Sequence, residues 1–344
     1  HIFSPLYNPD AKKMEIKMKR TNISALLLAA LLLMQLLCAP VSAVTAEPAA
    51  DAQADAQTAS DNSAGDASAE ADSVPEDQLL SSREQFSVAA KAALLIDLNT
   101  NRVVYEQDAD ERVYPASLTK IMTCLIALEN GNLSDVVTVS ESALADLDED
   151  SSVAGLVVGE QMTLENLLYC MMVVSGNDAC NVIAEHVAGS VTDFVRMMNQ
   201  RAYELGCTNT HFNNPHGLHD ESHYTTARDL AIITQAALKS ENFRQIVDTY
   251  EYKLPDDNMR QNIPKLKTTN MLIYQSMSNS LYYPRAHGIK TGYTSQAGRC
   301  VISEATGDGL DLLGIVCGAA TTVLESGDLL MESFTECASL FDYA

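Results

Sequence analysis

The sequence predicts an α+β fold, with one antiparallel sheet drawing its strands from both ends of the ordered chain and a helical insert between them. Three observations carry this expectation. Two short β-rich runs flank the turn Asn99-Thr100-Asn101, apolar runs of helical period fill the middle of the chain, and the character returns to strands after Tyr282. Strands and helices segregated in this way belong to α+β rather than alternating α/β architecture. With 344 residues and 47% hydrophobic content, there is material for one large domain or two small ones.

Taken in order, residues 1–43 read as a signal peptide with an upstream leader. Lys12, Lys13, Lys17, Lys19 and Arg20 make a positive segment, Ile23 to Ala39 an apolar core, and Val41-Ser42-Ala43 a small-residue cleavage site. The apolar core is shorter than the about 20 residues of a spanning helix, with a retained anchor as the alternative. Cys38 follows Leu37, where a lipoprotein site would need a small residue. Residues 44–85 are rich in Ala, Asp, Ser, Glu and Gln, and Val44 to Leu80 contains no lysine, arginine or aromatic residue. Such a segment buries too little apolar surface to offset its chain entropy, so a disordered acidic spacer is expected. Loss of residues 1–43 would remove five of 22 basic and two of 46 acidic residues, leaving 17 against 44, a formal charge of −27. That balance argues against nucleic acid and against adhesion to an anionic membrane surface.

Residues 86–344 are expected to form the folded domain. Ala89 to Asp97 and Arg102 to Glu106 read as strands. Pro115 disfavours helix at the residue before it and Ser117 is a good N-cap, so a helix should begin there, with Leu118, Ile121, Met122, Leu125, Ile126 and Leu128 on its buried side. Further helices are expected at Leu164 to Val174, Asp178 to Val187, Thr192 to Leu205 and Thr226 to Lys239. Gly288 to Gly292, Gly298 to Ala305 and Leu310 to Gly318 read as strands, and Leu324 to Phe341 as an amphipathic helix.

The chemistry centres on Ser117-Leu118-Thr119-Lys120. Residues three apart share a helical face, which sets Lys120 against the Ser117 hydroxyl, and free N–H groups at the helix start can meet an oxyanion. Ser-x-x-Lys alone is common, and a capping serine with a surface lysine is its bland explanation. Ser175-Gly176-Asn177 and Lys290-Thr291-Gly292 follow in the order known for penicillin-binding proteins and class A β-lactamases.

From about Phe86 onward, the chain resembles the D-alanyl-D-alanine carboxypeptidases, the low-molecular-mass penicillin-binding proteins. The matching stretches are Pro115 to Lys120, Ser175 to Ala179, Asn214-Pro215-His216-Gly217-Leu218, Thr226-Ala227-Arg228-Asp229 and Gly288 to Thr294. The resemblance implies a β-lactamase/transpeptidase-like fold: a five-stranded antiparallel sheet flanked by helices, with an all-helical lobe. It implies a serine hydrolase in the bacterial cell envelope, acting in peptidoglycan biosynthesis and cell shape on stem peptides ending in D-Ala-D-Ala, with β-lactam antibiotics as covalent inhibitors. Ser117 would be the nucleophile, Lys120 its base and Ser175 a proton relay. Asn177 would hold the peptide amide, Lys290 and Thr291 would meet the terminal carboxylate, and the N–H groups of Ser117 and Tyr293, with Gly292 between motif and strand, would form the oxyanion hole. No metal or cofactor is required, and Lys290 is the candidate cation for lowering the Lys120 pKa.

Two departures stand out. Many relatives carry an arginine just before the last helix, whereas Thr321-Thr322-Val323-Leu324-Glu325 has no basic residue. Relatives also often continue into a β-rich domain and an amphipathic anchor, so this chain is either single-domain or incomplete; its membrane association stays open. Among alternatives, a class A β-lactamase needs a Glu-x-x-Leu-Asn stretch between the second and third motifs, and Glu241-Asn242-Phe243 does not fit it. A D,D-endopeptidase would use the same residues, and a non-catalytic penicillin-binding scaffold is the reading from a different class. His211, His216, His219 and His223 suggest a metal, but their spacing suits no helix-borne site.

Without residues 1–43, seven cysteines remain. Cys124, Cys170 and Cys180 lie in apolar helical runs, where free buried thiols are the default. Asp308-Gly309 is a two-residue hairpin signal that sets Cys300 opposite Cys317, on one sheet face and reduced.

Overall fold

The computed structural model describes residues 86–145, 147, 151–324 and 329–344; the expected signal and spacer lie outside the described residues. Strand β1 (Ala92–Asp97) turns back into β2 (Arg102–Gln107) through Asn101 at φ 57°. Asparagine is among the few side chains that visit this region at low cost. A 3-10 turn, Ala116–Thr119, feeds α1 (Lys120–Asn130). Next come β3 (Val136–Thr138), the short α2 (Glu141–Ala145) and β4 (Gln161–Thr163). Helices α3 (Leu164–Val173), α4 (Asn177–Ala188), α5 (Val191–Glu204), α6 (Ala227–Ala237) and α7 (Glu241–Val247) complete the helical part. After the two-residue strands β5 (Glu251–Tyr252) and β6 (Leu266–Lys267), the chain lays down β7 (Ala286–Thr294), β8 (Gly298–Gly307) and β9 (Leu310–Ala319). It ends with β10 (Thr321–Val323), β11 (Leu329–Met331) and α8 (Glu332–Tyr343).

The main sheet has the order β2-β1-β9-β8-β7 and is antiparallel throughout, so the first hairpin, ending at Gln107, is completed by strands that begin only at Ala286. Its inner strands β1, β9 and β8 bury both faces. Ala92, Leu94, Ile96, Ile302, Leu313 and Ile315 join the core shared with the helical part, while Ala93, Leu95, Val301, Leu312 and Val316 pack with Phe334, Cys337 and Leu340 of α8. Successive strand residues point to opposite faces, which is why these strands read as continuous apolar runs instead of clean alternation.

Several local expectations are corrected. Ser117 is not an N-cap: it lies inside the 3-10 turn, and its oxygen accepts from a lysine rather than from a backbone N–H. The last helix begins at Glu332, not Leu324, because β-branched Thr321, Thr322 and Val323 pair as a strand with Leu329–Met331. At the late hairpin, Asp308 (φ 53°) and Gly309 (φ 83°) form the two-residue turn, and the counted register runs from Gly307↔Leu310 to Val301↔Val316. There it shifts, because Arg299 pairs with Ala319 and Gly318 (φ 77°) adds an extra residue to β9. Cys300 and Cys317 are therefore not directly opposed, yet both face the helical core and both thiols are free.

Candidate active site

Lys120, the first residue of α1, is fully buried. Its Nζ donates to Ser117 Oγ at 2.8 Å, Asn177 Oδ1 at 2.7 Å and the His216 carbonyl at 2.8 Å. An ammonium has three protons, so all of its donors are placed. Among the described residues no carboxylate bonds to it. Burial lowers its pKa from the ordinary lysine value to about 8. A neutral amine at this place could accept the Ser117 proton across the same 2.8 Å contact.

The serine turn is braced from outside. Gly217 (φ 91°) lies so close that a β-carbon there would sit 1.8 Å from the Ala116 carbonyl oxygen. Pro215 O accepts from Thr123 Oγ1 at 2.6 Å. His223 Nδ1 accepts from the Asn213 N–H at 3.2 Å, so its Nε2–H is the donor in the 2.9 Å contact with Thr119 Oγ1. Burial holds His216 near pKa 3 and His223 near 4, and both stay neutral. His211 instead donates to Ser222 O and His219 meets Tyr114 edge-on, so the four histidines serve separate local contacts.

The second motif sits on the bend before α4. Ser175 adopts φ 63° and Ala116 φ 47°, so two non-glycine residues in the left-handed region flank the site. Such conformations are held by their surroundings and concentrate at functional sites. Asn177 Nδ2 and Ser175 Oγ have no hydrogen-bond partner among the described residues, and both residues line the cleft. Asp178, buried beside them, accepts from the N–H groups of Ala154, Gly155, Leu156 and Ala179 at 2.9–3.0 Å. It thereby ties down the loop that brings Ser151 and Ser152 into the cleft, and Ser152 O accepts from Asn177 N at 2.8 Å.

The opposite wall is β7. Lys290 is 1% exposed and donates to the Thr291 carbonyl at 3.0 Å. Burial, then the charge of Lys120, push its pKa well below the ordinary value. Burial is the first cause of the lowering at both lysines, and the repulsion between the two amines acts on each of them. Thr291 Oγ1 pairs with Thr269 Oγ1 at 2.6 Å. Gly292 presses on the serine turn, since a β-carbon there would lie 3.0 Å from Ser117 N and 3.1 Å from Pro115 O. Tyr293 is 55% exposed at the rim.

A cleft of about 480 Å³ joins these groups. Ser117, Ser175, Asn177, Thr291, Gly292 and Tyr293 line it, while Lys120 and Lys290 lie behind that lining. All eight residues singled out by the three motifs therefore gather in one place. Sequence reasoning missed Arg299, Thr269 and the serines of the 151–152 loop, none of which belongs to a motif of its own. Arg299 lines the cleft, donates from Nε to Thr321 Oγ1 at 3.0 Å, and lies 4.1 Å over the Tyr293 ring.

Known proteins resemble this chain in both sequence and fold. A family model described as D-alanyl-D-alanine carboxypeptidase matches residues 79–321. The chain is 40% identical over 240 residues to D-alanyl-D-alanine carboxypeptidase DacF of Bacillus subtilis, covering 67% of this chain and 58% of that protein. It is 35% identical over 242 residues to D-alanyl-D-alanine carboxypeptidase DacA of Escherichia coli, covering 68% and 57%. This chain spans about three fifths of the length of these curated relatives. In structure it is similar to the Streptomyces K15 DD-transpeptidase (TM-score 0.65, 29% identity, 75% of this chain and 97% of that one). Penicillin binding protein 5 from Haemophilus influenzae gives a TM-score of 0.63 at 32% identity, covering 75% of this chain and 71% of that one.

Proposed function

The chain belongs to the D-alanyl-D-alanine carboxypeptidase family, and from that premise we propose that it removes the terminal D-alanine from peptidoglycan stem pentapeptides through an acyl-enzyme on Ser117. The observation that carries this reading is the Lys120 amine: fully buried, without a carboxylate partner among the described residues, and 2.8 Å from Ser117 Oγ. Ser117 Oγ attacks the carbonyl between the two D-alanines while Lys120 Nζ takes its proton. Negative charge on the carbonyl oxygen is met by N–H groups at Ser117 and Tyr293, where β7 packs on the serine turn. Ser175 relays a proton to the leaving nitrogen, the C–N bond breaks, and D-alanine departs. Water then attacks the ester, its proton passing to Lys120 and on to Ser117 Oγ as the shortened peptide leaves. Asn177 orients the peptide amide through its unpartnered Nδ2, and Lys290 and Thr291 lie on the side of the leaving D-alanine.

β-Lactams would acylate the same serine, and export to the cell envelope follows from the signal read in residues 1–43 together with a wall substrate. The test is incubation with purified pentapeptide stem and with cross-linked dimer, followed by product masses. Loss of one D-alanine from the pentapeptide is expected. Cleavage of the dimer alone would replace this reading with an endopeptidase, and no cleavage of either would leave a penicillin-binding scaffold.

A further inference from the structure

Seven cysteines lie among the described residues, all of them buried and free. Cys300 differs from the other six in two ways. It is the one that lines the cleft. Burial pushes the thiols of Cys124, Cys170, Cys180, Cys207 and Cys337 up, whereas the Cys317 thiol holds the pKa of Cys300 below the ordinary value. Cys317 itself is pushed up, again first by its partner. A thiolate is the form that attacks an oxidant, so the thiol that ionises most readily is also the one a small reagent can reach.

The sheet sets these two thiols against each other. Arg299 pairs with Ala319 and Val301 with Val316, so Cys300 alone stands opposite Cys317 and Gly318 at the bulge. Both cysteines face the core shared with the helices. Antiparallel partners lie about 4.5–5.5 Å apart at Cα, inside the window of about 4.4–6.8 Å that a disulfide spans. Facing β-carbons stand about 4.5–5.5 Å apart, against about 3.5–4.5 Å in a disulfide, so a bond here would draw the strands together by about 1 Å. That movement leads to the serine. On its far side β9 is held by β1, where Ala92 pairs with Cys317. On the far side of β8, Cys300 pairs with Gly292, which presses on the serine turn closely enough that a β-carbon there would lie 3.0 Å from Ser117 N. A displacement of about 1 Å in a reacting group costs up to about a hundredfold in rate.

We propose that Cys300 and Cys317 are a redox pair that a peroxide closes to a disulfide, slowing acylation of Ser117 through Gly292. The Cys300 sulfur attacks one peroxide oxygen, the O–O bond breaks, and the departing hydroxide takes up the thiol proton to become water. The Cys317 sulfur then displaces the hydroxyl from Cys300, forming the S–S bond and releasing a second water. The two thiols lose two electrons and the peroxide gains them. A thiol reductant returns the dithiol by exchange. The effect on rate rests on the acyl-enzyme reading above; the disulfide does not.

The test treats the reduced protein with a limiting dose of hydrogen peroxide, maps its peptides by mass, and follows the rate of acylation by penicillin. A cross-linked peptide holding Cys300 and Cys317 is expected, with a fall in rate of about tenfold or more that a thiol reductant reverses. Cys317→Ala should stop at one added oxygen on Cys300, without a cross-link, and Cys300→Ala should keep its rate through the same treatment. The cross-link and its reversal are read on the wild type, so the decision does not depend on either variant folding. A different cysteine pair in the mapped peptide, or an oxidised pair with an unchanged rate, would overturn the proposal. A reduced wild type that penicillin does not acylate would instead overturn the Ser117 reading, and with it the control of acylation, while the mapped peptide would still decide the disulfide.

Discussion

On the helical wall of the cleft, buried Lys120 commits three protons to Ser117, Asn177 and the His216 carbonyl, and buried Asp178 gathers four backbone N–H groups. On the sheet wall, Tyr293 is more than half exposed, and among the described residues Arg299 holds a tyrosine ring and a threonine hydroxyl. The contrast separates two tasks. Ser117 and Lys120 are locked together before a ligand arrives, which lowers the cost of reorganisation. Exposed rim groups such as Tyr293 keep surface that a substrate can cover. A change on the helical wall should therefore cost rate, and often fold stability, whereas a change on the sheet wall should act on binding.

The harshest break in this comparison is Ser117→Ala. Intact-mass spectrometry with penicillin should show a single adduct on the wild type and none on the variant; an adduct that persists would move the nucleophile elsewhere. Lys120→Arg comes next. A guanidinium stays charged and cannot accept the serine proton, so acylation should slow by about 10²–10⁴-fold while circular dichroism reports a retained fold. Substantial acylation by the arginine variant would reduce Lys120 to an orienting charge. The same site should also respond to pH. With the Lys120 pKa lowered to about 8, the reactive neutral amine gains population as pH rises, so the acylation rate should climb about tenfold per unit below 8 and level off above it. A rate that falls over that range would show that the ammonium form is the competent one.

Smaller effects sharpen the contrast between walls. Asp178→Asn leaves two of the four anchored N–H groups facing an amide donor, and should lower stability by about 1–3 kcal/mol in denaturant titration. Thr269→Ala removes the partner of Thr291 Oγ1 on the sheet wall and should raise KM a few-fold with little change in melting temperature. A large stability loss at Thr269 would erase the distinction.

How much of this was legible in the residues differs between the walls too. The helical wall is written in local code: Ser117 and Lys120 are one turn apart, Asn177 opens a helix, and the apolar period of α1 and α3 announces their burial. Strands β7, β8 and β9 were equally plain from their apolar runs, as was the Asp308-Gly309 turn. What escaped depends on contacts made across the sheet. Arg299 belongs to no motif, and its place in the cleft depends on the bulge at Gly318, which also defeated the direct pairing of Cys300 with Cys317. The same non-local origin explains why the last helix starts late: β10 becomes a strand only because β11 is there to pair with it.

The strand order β2-β1-β9-β8-β7 has a further consequence, for how the molecule comes to be folded. The first hairpin can close within microseconds of its synthesis, but its inner strand β1 finds its neighbour only after the chain has passed Leu310. Closing so long a loop comes early in entropy and late in reward, which places this domain among the slower folders. Until β9 arrives, the Ala92–Ile96 edge stands open and apolar, a template for pairing with other chains. A nascent or half-unfolded molecule would therefore aggregate through its beginning while waiting for its end, and conditions that delay the last strands should be the ones that lower its yield.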